Sequence, residues 1–191
     1  MKTCPICHVV AGPNGSGKST FALDYLPEYA GSIEYVNPDL MAKGLSPIDI
    51  RLSSLKSGRL TLKRIAELIA AGETFGFETT LSGRGHLKLI ADAKKAGYAI
   101  HLYYLWMPEK FVLTSRIRHR VLSGGHDVPS EDVFRRYARS VANLSAYAKL
   151  SDKLYVFDAI ENPQRMIFVR NGNEKACNEK RVIQMRKELG V

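Results

Sequence analysis

The sequence predicts an α/β domain built on a parallel central sheet, and three observations carry that reading. Apolar runs rich in β-branched and aromatic residues occur at Ile6 to Ala11, Ile33 to Val36, Thr74 to Phe77, Ala99 to Trp106, Leu154 to Phe157 and Met166 to Val169. Several are nearly continuous, as strands buried on both faces are. Segments of helical period lie between them, which makes βαβ units and puts ligands at the carboxyl ends of the strands. Finally, Gly12-Pro13-Asn14-Gly15-Ser16-Gly17-Lys18-Ser19-Thr20 sits where the first strand turns into the first helix.

That loop is a complete Walker A sequence, flanked by the strand from Ile6 and by a helical stretch from Phe21 to Leu26. Its glycines let the backbone wrap a phosphate without Cβ clashes, and successive N–H groups at the helix N-terminus supply positive potential. Lys18 is expected to reach the β- and γ-phosphates and the Ser19 hydroxyl to ligate Mg²⁺. ATP and Mg²⁺ are therefore the expected ligands, with Gly12 through Thr20 as the nucleotide-binding residues.

Further elements follow in order. A helix is expected after Ser46, with Ser46 as cap, Pro47 at the first helical position and Asp49 three residues from the cap. Its stripe is Leu55, Leu62, Ile65 and Ile69, and Gly72 stops it. A second helical pattern runs from about His86 to Gly97. Between Pro108 and Leu150 two helical segments flank Ser123-Gly124-Gly125-His126-Asp127-Val128-Pro129 with no strand between them, which predicts a glycine-hinged helical lid over residues 108–150 inserted in a single domain of 191 residues. The second lid helix is expected to be capped by Ser130. Its apolar stripe is Phe134, Tyr137, Val141, Leu144 and Ala148, beside a polar stripe of Arg136, Arg139 and Asn143. His126 is read as support for the turn. The polar tail after Asn171 reads as a hairpin or a short helix.

Composition narrows the partners. The chain is 45% hydrophobic and 25% charged, an ordinary globular balance. No apolar run approaches the ~20 residues of a membrane span, so a cytoplasmic protein with no membrane partner is expected. A net charge of +9, from 28 Lys and Arg against 19 Asp and Glu, points to polyanionic ligands. The arginines crowd between Arg116 and Arg139 and no lysine run occurs, which favours a focused phosphate site over a nucleic-acid-binding face. Cys4, Cys7 and Cys177 form no disulfide framework, and Cys7 reads as a small buried strand residue.

A Walker A loop alone does not separate motors, GTPases and kinases. Asn37-Pro38-Asp39 follows the second strand, where the Asp39 carboxylate can face the γ-phosphate and accept the proton of an attacking hydroxyl; the competing reading is that Asp39 caps the next helix. Glu78-Thr79-Thr80 ends the third strand. Glu78 is read first as an acceptor-hydroxyl ligand, second as a Mg²⁺-water ligand, and otherwise as an ion-pair partner of an arginine. Arg116 and Arg120 share a helix face beside Leu113, Ile117 and Val121, and with Arg136 could close on the triphosphate and stabilise the charge that develops during transfer. Arg118 lies on a different face. The strand from Ala99 runs into Pro108 without a terminal Asp, which argues against a motor ATPase.

Taken together, the Walker loop, Asn37-Pro38-Asp39, Phe77 through Gly83, Arg116 through Val121 with Gly124-Gly125-His126 and Val128-Pro129, and Arg135-Arg136-Tyr137 with Asn143-Leu144 resemble the zeta toxin family of P-loop kinases, and more closely its chromosomal, zeta-toxin-like predicted ATPases. The resemblance spans roughly residues 6 to 160. It implies a kinase-type P-loop fold, a three-layer sandwich with a helical lid, and ATP-dependent phosphorylation of a hydroxyl on a small molecule. In zeta toxins the acceptor is the sugar 3′-hydroxyl of UDP-N-acetylglucosamine; the family also implies an antitoxin protein as partner. By the same resemblance Asp39 matches the base and Arg120 and Arg136 the phosphate-holding lid arginines, with Lys18 completing the catalytic set, Arg116 on the nucleotide, and Glu78, Thr79 and Thr80 on the acceptor. The chain departs from the family in its compactness, with little beyond the sixth strand to build an elaborate uridine-sugar site. The alternative reading is a nucleotide-binding regulator or nucleic-acid-associated ATPase without kinase activity.

Overall fold

Seven strands form one sheet in the order β2-β3-β1-β4-β5-β6-β7 in the computed structural model, which describes residues 4–31, 33–46, 48, 53–125, 127–161 and 163–190. The chain runs β1 (Ile6–Ala11), α1 (Lys18–Ala30), β2 (Glu34–Val36), α2 (Pro38–Leu45), α3 (Ser54–Ala71), β3 (Phe75–Thr79), α4 (Gly85–Lys95), β4 (Ala99–Trp106), α5 (Lys110–Leu122), α6 (Ser130–Leu150), β5 (Lys153–Asp158), β6 (Arg165–Asn171), β7 (Asn173–Ala176) and α7 (Glu179–Leu189). The five strands β2, β3, β1, β4 and β5 are parallel, and β6 and β7 add an antiparallel edge.

Alternation along the strands sorts the side chains between two helical layers. Cys7, Val9 and Ala11 of β1 join a core closed by Ile65 and Leu68 of α3, Ile90 of α4, Leu144 of α6 and Val182 and Met185 of α7. Val10 faces the other way, onto Phe21 and Leu26 of α1 and Leu113 and Ile117 of α5. The result is the α/β/α sandwich expected from the sequence. Helix α6 serves both layers: Val133 near its start packs with α1 and α5, whereas Leu144 and Tyr147 pack in the opposite core. It therefore carries its middle turns past the end of the sheet. Phe75, Phe77, Tyr104 and Trp106 are fully buried, and truncating one such ring costs about 3–5 kcal/mol.

The connections leave β1 first toward β2 and β3 on one side and then cross to β4 on the other, so the crevice at the carboxyl ends of β1, β3 and β4 is a topological switch point. Register fixes what reaches it. Val10 pairs with Glu78 and Ala11 with Thr79 and Tyr104, and Gly12 N–H donates to the Thr79 carbonyl at 3.3 Å, tying the Walker loop to β3.

Of three local expectations one lies outside the described residues, one is corrected and one holds. Ser46 follows the last turn of α2, its N–H bonded to Ala42 O; the helix start expected after it falls on Pro47 and Asp49, which lie outside the described residues, as does His126, and the long helix begins at Ser54. Pro129, not Ser130, occupies the N-cap position of α6, where its fixed φ sets the entry angle and no side chain caps. The polar tail forms both a hairpin, β6–β7, and a helix, α7 capped by the Asn178 side chain on Arg181 N–H.

Candidate nucleotide and phosphotransfer site

A cavity of about 340 Å³ opens at the switch point, lined by Gly15, Gly17, Lys18, Ser19 and Thr20 of the Walker segment, Asp39 and Glu78 on the β2–β3 side, and Arg116, Ile117, Arg120, Glu161 and Gln164 on the other. Gly17 holds the loop's last residue at φ 88°, a left-handed conformation that opens α1, and a Cβ there would stand 2.8 Å from the Gln164 amide nitrogen. The Ser16 hydroxyl is fully buried with no hydrogen-bond partner among the described residues. An orphaned donor beneath a bare helix N-terminus fits a phosphate oxygen.

Lys18 is buried and donates to the Pro13 carbonyl at 3.0 Å. Burial pushes its ammonium below the ordinary value, and the positive Arg120 and Arg136 push the same way; the facing carboxylates of Glu78 and Asp39 oppose both. Lys18 thus stands at the electrostatic centre of the site, between an acidic and a basic wall.

The acidic wall is interlocked. Ser19 Oγ donates to Glu78 Oε2 at 2.9 Å, Tyr35 OH donates to the same oxygen at 3.3 Å, and Asn37 Nδ2 donates to Ser19 Oγ at 3.3 Å. Burial, reinforced by the Glu78 carboxylate, drives the Tyr35 phenol upward, so it stays protonated and remains a donor. The partners of Glu78 among the described residues are Ser19 and Tyr35, not an arginine. Asn37 is the residue that caps α2: its Oδ1 accepts from Asp39 N at 2.8 Å and Leu40 N at 3.0 Å. The cap reading of Asp39 is therefore replaced. Asp39 stands in the first turn of α2 with its carboxylate on the cavity, where the helix dipole favours the anion. Sequence reasoning missed Asn37 and Tyr35, although Asn-Pro at a strand-to-helix junction is a cap signature.

Thr79 and Thr80 are not brought to the cavity with Glu78. Thr79 Oγ1 accepts from Leu81 N at 3.1 Å and lies 3.4 Å from His86 Nδ1, while Thr80 Oγ1 and Ser82 Oγ are 2.8 Å apart. Both hydroxyls shape the loop after β3, in which Leu81 is fully buried at φ 53°. Asn143 of α6 donates to Leu81 O at 2.7 Å and Tyr147 to Gly83 O at 2.7 Å, which locks that loop to the lid helix.

On the basic wall each arginine is held differently. Arg116 donates to Ala159 O at 2.7 Å and Ile160 O at 2.8 Å, so its planar fork clamps the loop after β5 while it lines the cavity. Arg136 reaches over to Asn14 Oδ1 of the Walker loop at 3.4 Å. Arg120 lines the cavity beside Lys18 and lies against Gly125, where an added Cβ would meet its Cγ at 2.5 Å. Gly124 N–H bonds to Val121 O at 2.9 Å and Gly125 N–H to Arg120 O at 2.8 Å. The pair expected to be a hinge is thus the stop of α5 and the seat of Arg120. Arg118 is exposed.

The oxygen donors of Ser19, Glu78 and Asp39 beside an anion cradle are the hard, oxygen-rich set that Mg²⁺ takes together with phosphate. Among the described residues no cluster of three or more His, Cys, Asp and Glu stands ready to hold a metal by itself.

Residues 8–144 match the family described as an AAA domain, and the chain belongs to it. The α/β fold with its mostly parallel central sheet is of the P-loop kinase-like type. The chain is 33% identical over 126 residues to an uncharacterized protein of Haemophilus influenzae, covering 66% of this chain and 88% of that protein. It is similar to the AvrRxo1-ORF1:-ORF2 complex solved with ATP, at a TM-score of 0.76 and 16% identity, covering 96% of this chain and 64% of that one. This chain therefore spans less than two thirds of that protein's length. It is also similar to a chain of the PezAT chromosomal toxin-antitoxin system of Streptococcus pneumoniae, at a TM-score of 0.68 and 17% identity, covering 99% of this chain and 87% of that one. At these identities the structural likeness shows the fold. No helix among the described residues is long and apolar enough to cross a membrane.

Proposed function

We propose that the protein is an ATP-dependent phosphotransferase of the zeta-toxin-like type that moves the γ-phosphate of ATP to a hydroxyl of a small molecule. The observation that carries this is the placement of Asp39: a carboxylate freed from capping by Asn37, on the cavity wall across from the arginines and beside Lys18. A passive nucleotide binder has no use for a base there, whereas a transferase needs one within reach of the acceptor oxygen.

Lys18, Ser16 and the loop amides hold the triphosphate, and Ser19 with Glu78 would hold Mg²⁺, which when bound neutralises charge between the β- and γ-phosphates. Asp39 takes the proton of the acceptor hydroxyl as that oxygen bonds to phosphorus and the β–γ bridge breaks toward ADP. Arg120 on the opposite wall, and Arg136, which reaches Asn14 of the cavity lining, serve as preorganised donors for the migrating group. The Glu78–Ser19 hydrogen bond favours the metal role of Glu78 over direct acceptor binding. The base of the nucleotide is assigned to the end of the cavity at Glu161, because Ile117 and Gln164 stand against Gly15 and Gly17 of the phosphate loop.

UDP-N-acetylglucosamine is the acceptor that the zeta-toxin resemblance nominates, and an antitoxin protein is the partner it nominates; the PezAT system is a toxin-antitoxin pair. A cytoplasmic location is part of the same proposal. The test is incubation with γ-labelled ATP, Mg²⁺ and either UDP-N-acetylglucosamine or a cell-derived small-molecule pool. Label on a small molecule is expected. Release of inorganic phosphate alone would favour the regulator reading.

A further inference from the structure

We infer that the C-terminal helix α7, which lies beyond the residues 8–144 matched by the family, is a staple that positions both walls of the nucleotide cavity, with Arg181 and Glu188 as positioning residues. The inference rests on the nucleotide-site reading of that cavity.

Trp106, the last residue of β4, is completely buried and is the shared anchor. The Arg181 guanidinium lies 4.9 Å from its ring centroid, and its indole N–H donates to Glu188 Oε2 at 3.1 Å. From this anchor two branches leave. In the first, Arg181 Nε donates to Asp158 Oδ2 at 2.6 Å, and Asp158 Oδ1 accepts from Ile160 N at 3.1 Å. Ala159 N–H in turn donates to Trp106 O at 2.8 Å. These bonds fix the two carbonyls, of Ala159 and Ile160, that Arg116 grips. The far end of the cavity is thereby set from α7.

In the second branch, Tyr137 of α6 donates to Glu188 Oε1 and also lies 3.1 Å from the Met107 carbonyl. Tyr137 adjoins Arg136, so holding its hydroxyl fixes the rotation of α6 about its axis at the turn from which Arg136 reaches Asn14. Arg181 and Glu188 are half-buried, and of their partners Trp106 and Asp158 are buried and Tyr137 is half-buried, which makes their bonds worth more than exposed ion pairs. The same helix carries a built-in contrast. Arg186 pairs with Glu174 at 2.5 Å with both side chains about half exposed, and touches neither branch.

The two branches predict different ligand signatures. The Arg181 branch ends at the base-proximal wall, so Arg181→Ala should weaken ATP about three- to thirty-fold and leave inorganic tripolyphosphate unchanged. The Glu188 branch ends at the Walker loop, so Glu188→Ala should weaken both ligands, and Arg136→Ala should add little in that background. Arg181→Lys, which keeps a cation for Asp158, should recover part of the loss. The experiment is calorimetric titration of the full chain and each variant with ATP and with tripolyphosphate, with a melting curve for every variant and Arg186→Ala as control. The proposal is overturned if Arg181→Ala and Glu188→Ala bind both ligands as Arg186→Ala does, if Arg181→Ala weakens tripolyphosphate as much as ATP, if Glu188→Ala leaves tripolyphosphate unchanged, or if affinity falls only in step with melting temperature. Failure of the wild-type chain to bind ATP would instead overturn the nucleotide-site reading itself.

Discussion

The two walls of the cavity are built on opposite plans. On the β2–β3 side the polar groups of the strands and their ends bond to one another and to Ser19 of α1, so that Ser19, Glu78, Tyr35 and Asn37 form one network that meets the cavity at Ser19 and Glu78, with Asp39 lining it beside them. On the lid side the three arginines come from two helices and each bonds to a different piece of the scaffold or rests on it, whether loop carbonyls, Asn14 or Gly125. The first wall gets its precision from the sheet register, the second from helix packing and from α7. At the strand ends Asp39 and Glu78 reach the cavity while Thr79 and Thr80 bond within the loop after β3, and on the helices after β4 the arginines take contacts that their spacing does not reveal.

The largest effect expected anywhere in the molecule is at the centre both walls share. Lys18→Ala should abolish measurable transfer and remove tight ATP binding in titration calorimetry, because no other cation is built into the loop. Undiminished binding by this variant would break the comparison at its root. Next is the difference between arginines. Arg120→Ala should lower turnover by about 10²–10³ with a much smaller change in ATP affinity, as removal of one preorganised donor does, whereas exposed Arg118→Ala should change neither. Arg116→Ala should act through the loop after β5, raising the KM for ATP more than it lowers kcat. Equal effects of Arg116→Ala and Arg120→Ala on kcat would erase the division of labour.

A smaller effect lies beneath the lid-side layer. His8 is 2% exposed, its Nδ1 sits 3.0 Å from Tyr103 OH and its Nε2 has no partner. Burial lowers its pKa from 6.5 to about 4, and neighbouring His101 adds to the lowering. The unfolded chain therefore binds the proton first: this contribution to stability is complete above about pH 7, falls as pH drops through 6.5, and is exhausted near pH 4. About 2 kcal/mol should be gone at pH 5 relative to pH 8, read from denaturant titrations, and His8→Phe should flatten the slope. The smallest effect is the α2 cap, where Asn37→Ala should cost about 1 kcal/mol in the same assay.

Much of this was legible in the chain. The strand runs and the Walker loop placed the sheet and the phosphate cradle, and Glu78 and Asp39 both reach the cavity as their positions after β3 and β2 suggest. What failed did so for local reasons. Ser130 looks like a cap by residue type, but Pro129 takes the N-cap position before α6. Thr79 and Thr80 read as acceptor ligands because they adjoin Glu78, yet the pleat turns the Thr79 side chain away from the cavity and the β3–α4 loop claims the hydroxyl of Thr80. The polar tail gave no hint that α7 reaches the site, since Arg181 and Glu188 act through Trp106, Asp158 and Tyr137, contacts that exist only once distant segments pack.

The central claim is that Asp39 is a base and not a structural carboxylate. Its direct test is Asp39→Asn, assayed for ATP affinity, melting temperature and single-turnover transfer from γ-labelled ATP to the acceptor found in the small-molecule pool. Affinity and melting temperature should match wild type, because Asn37 supplies the cap, while transfer falls by about 10²–10⁴. Transfer at the wild-type rate, with or without a lowered melting temperature, would contradict the account.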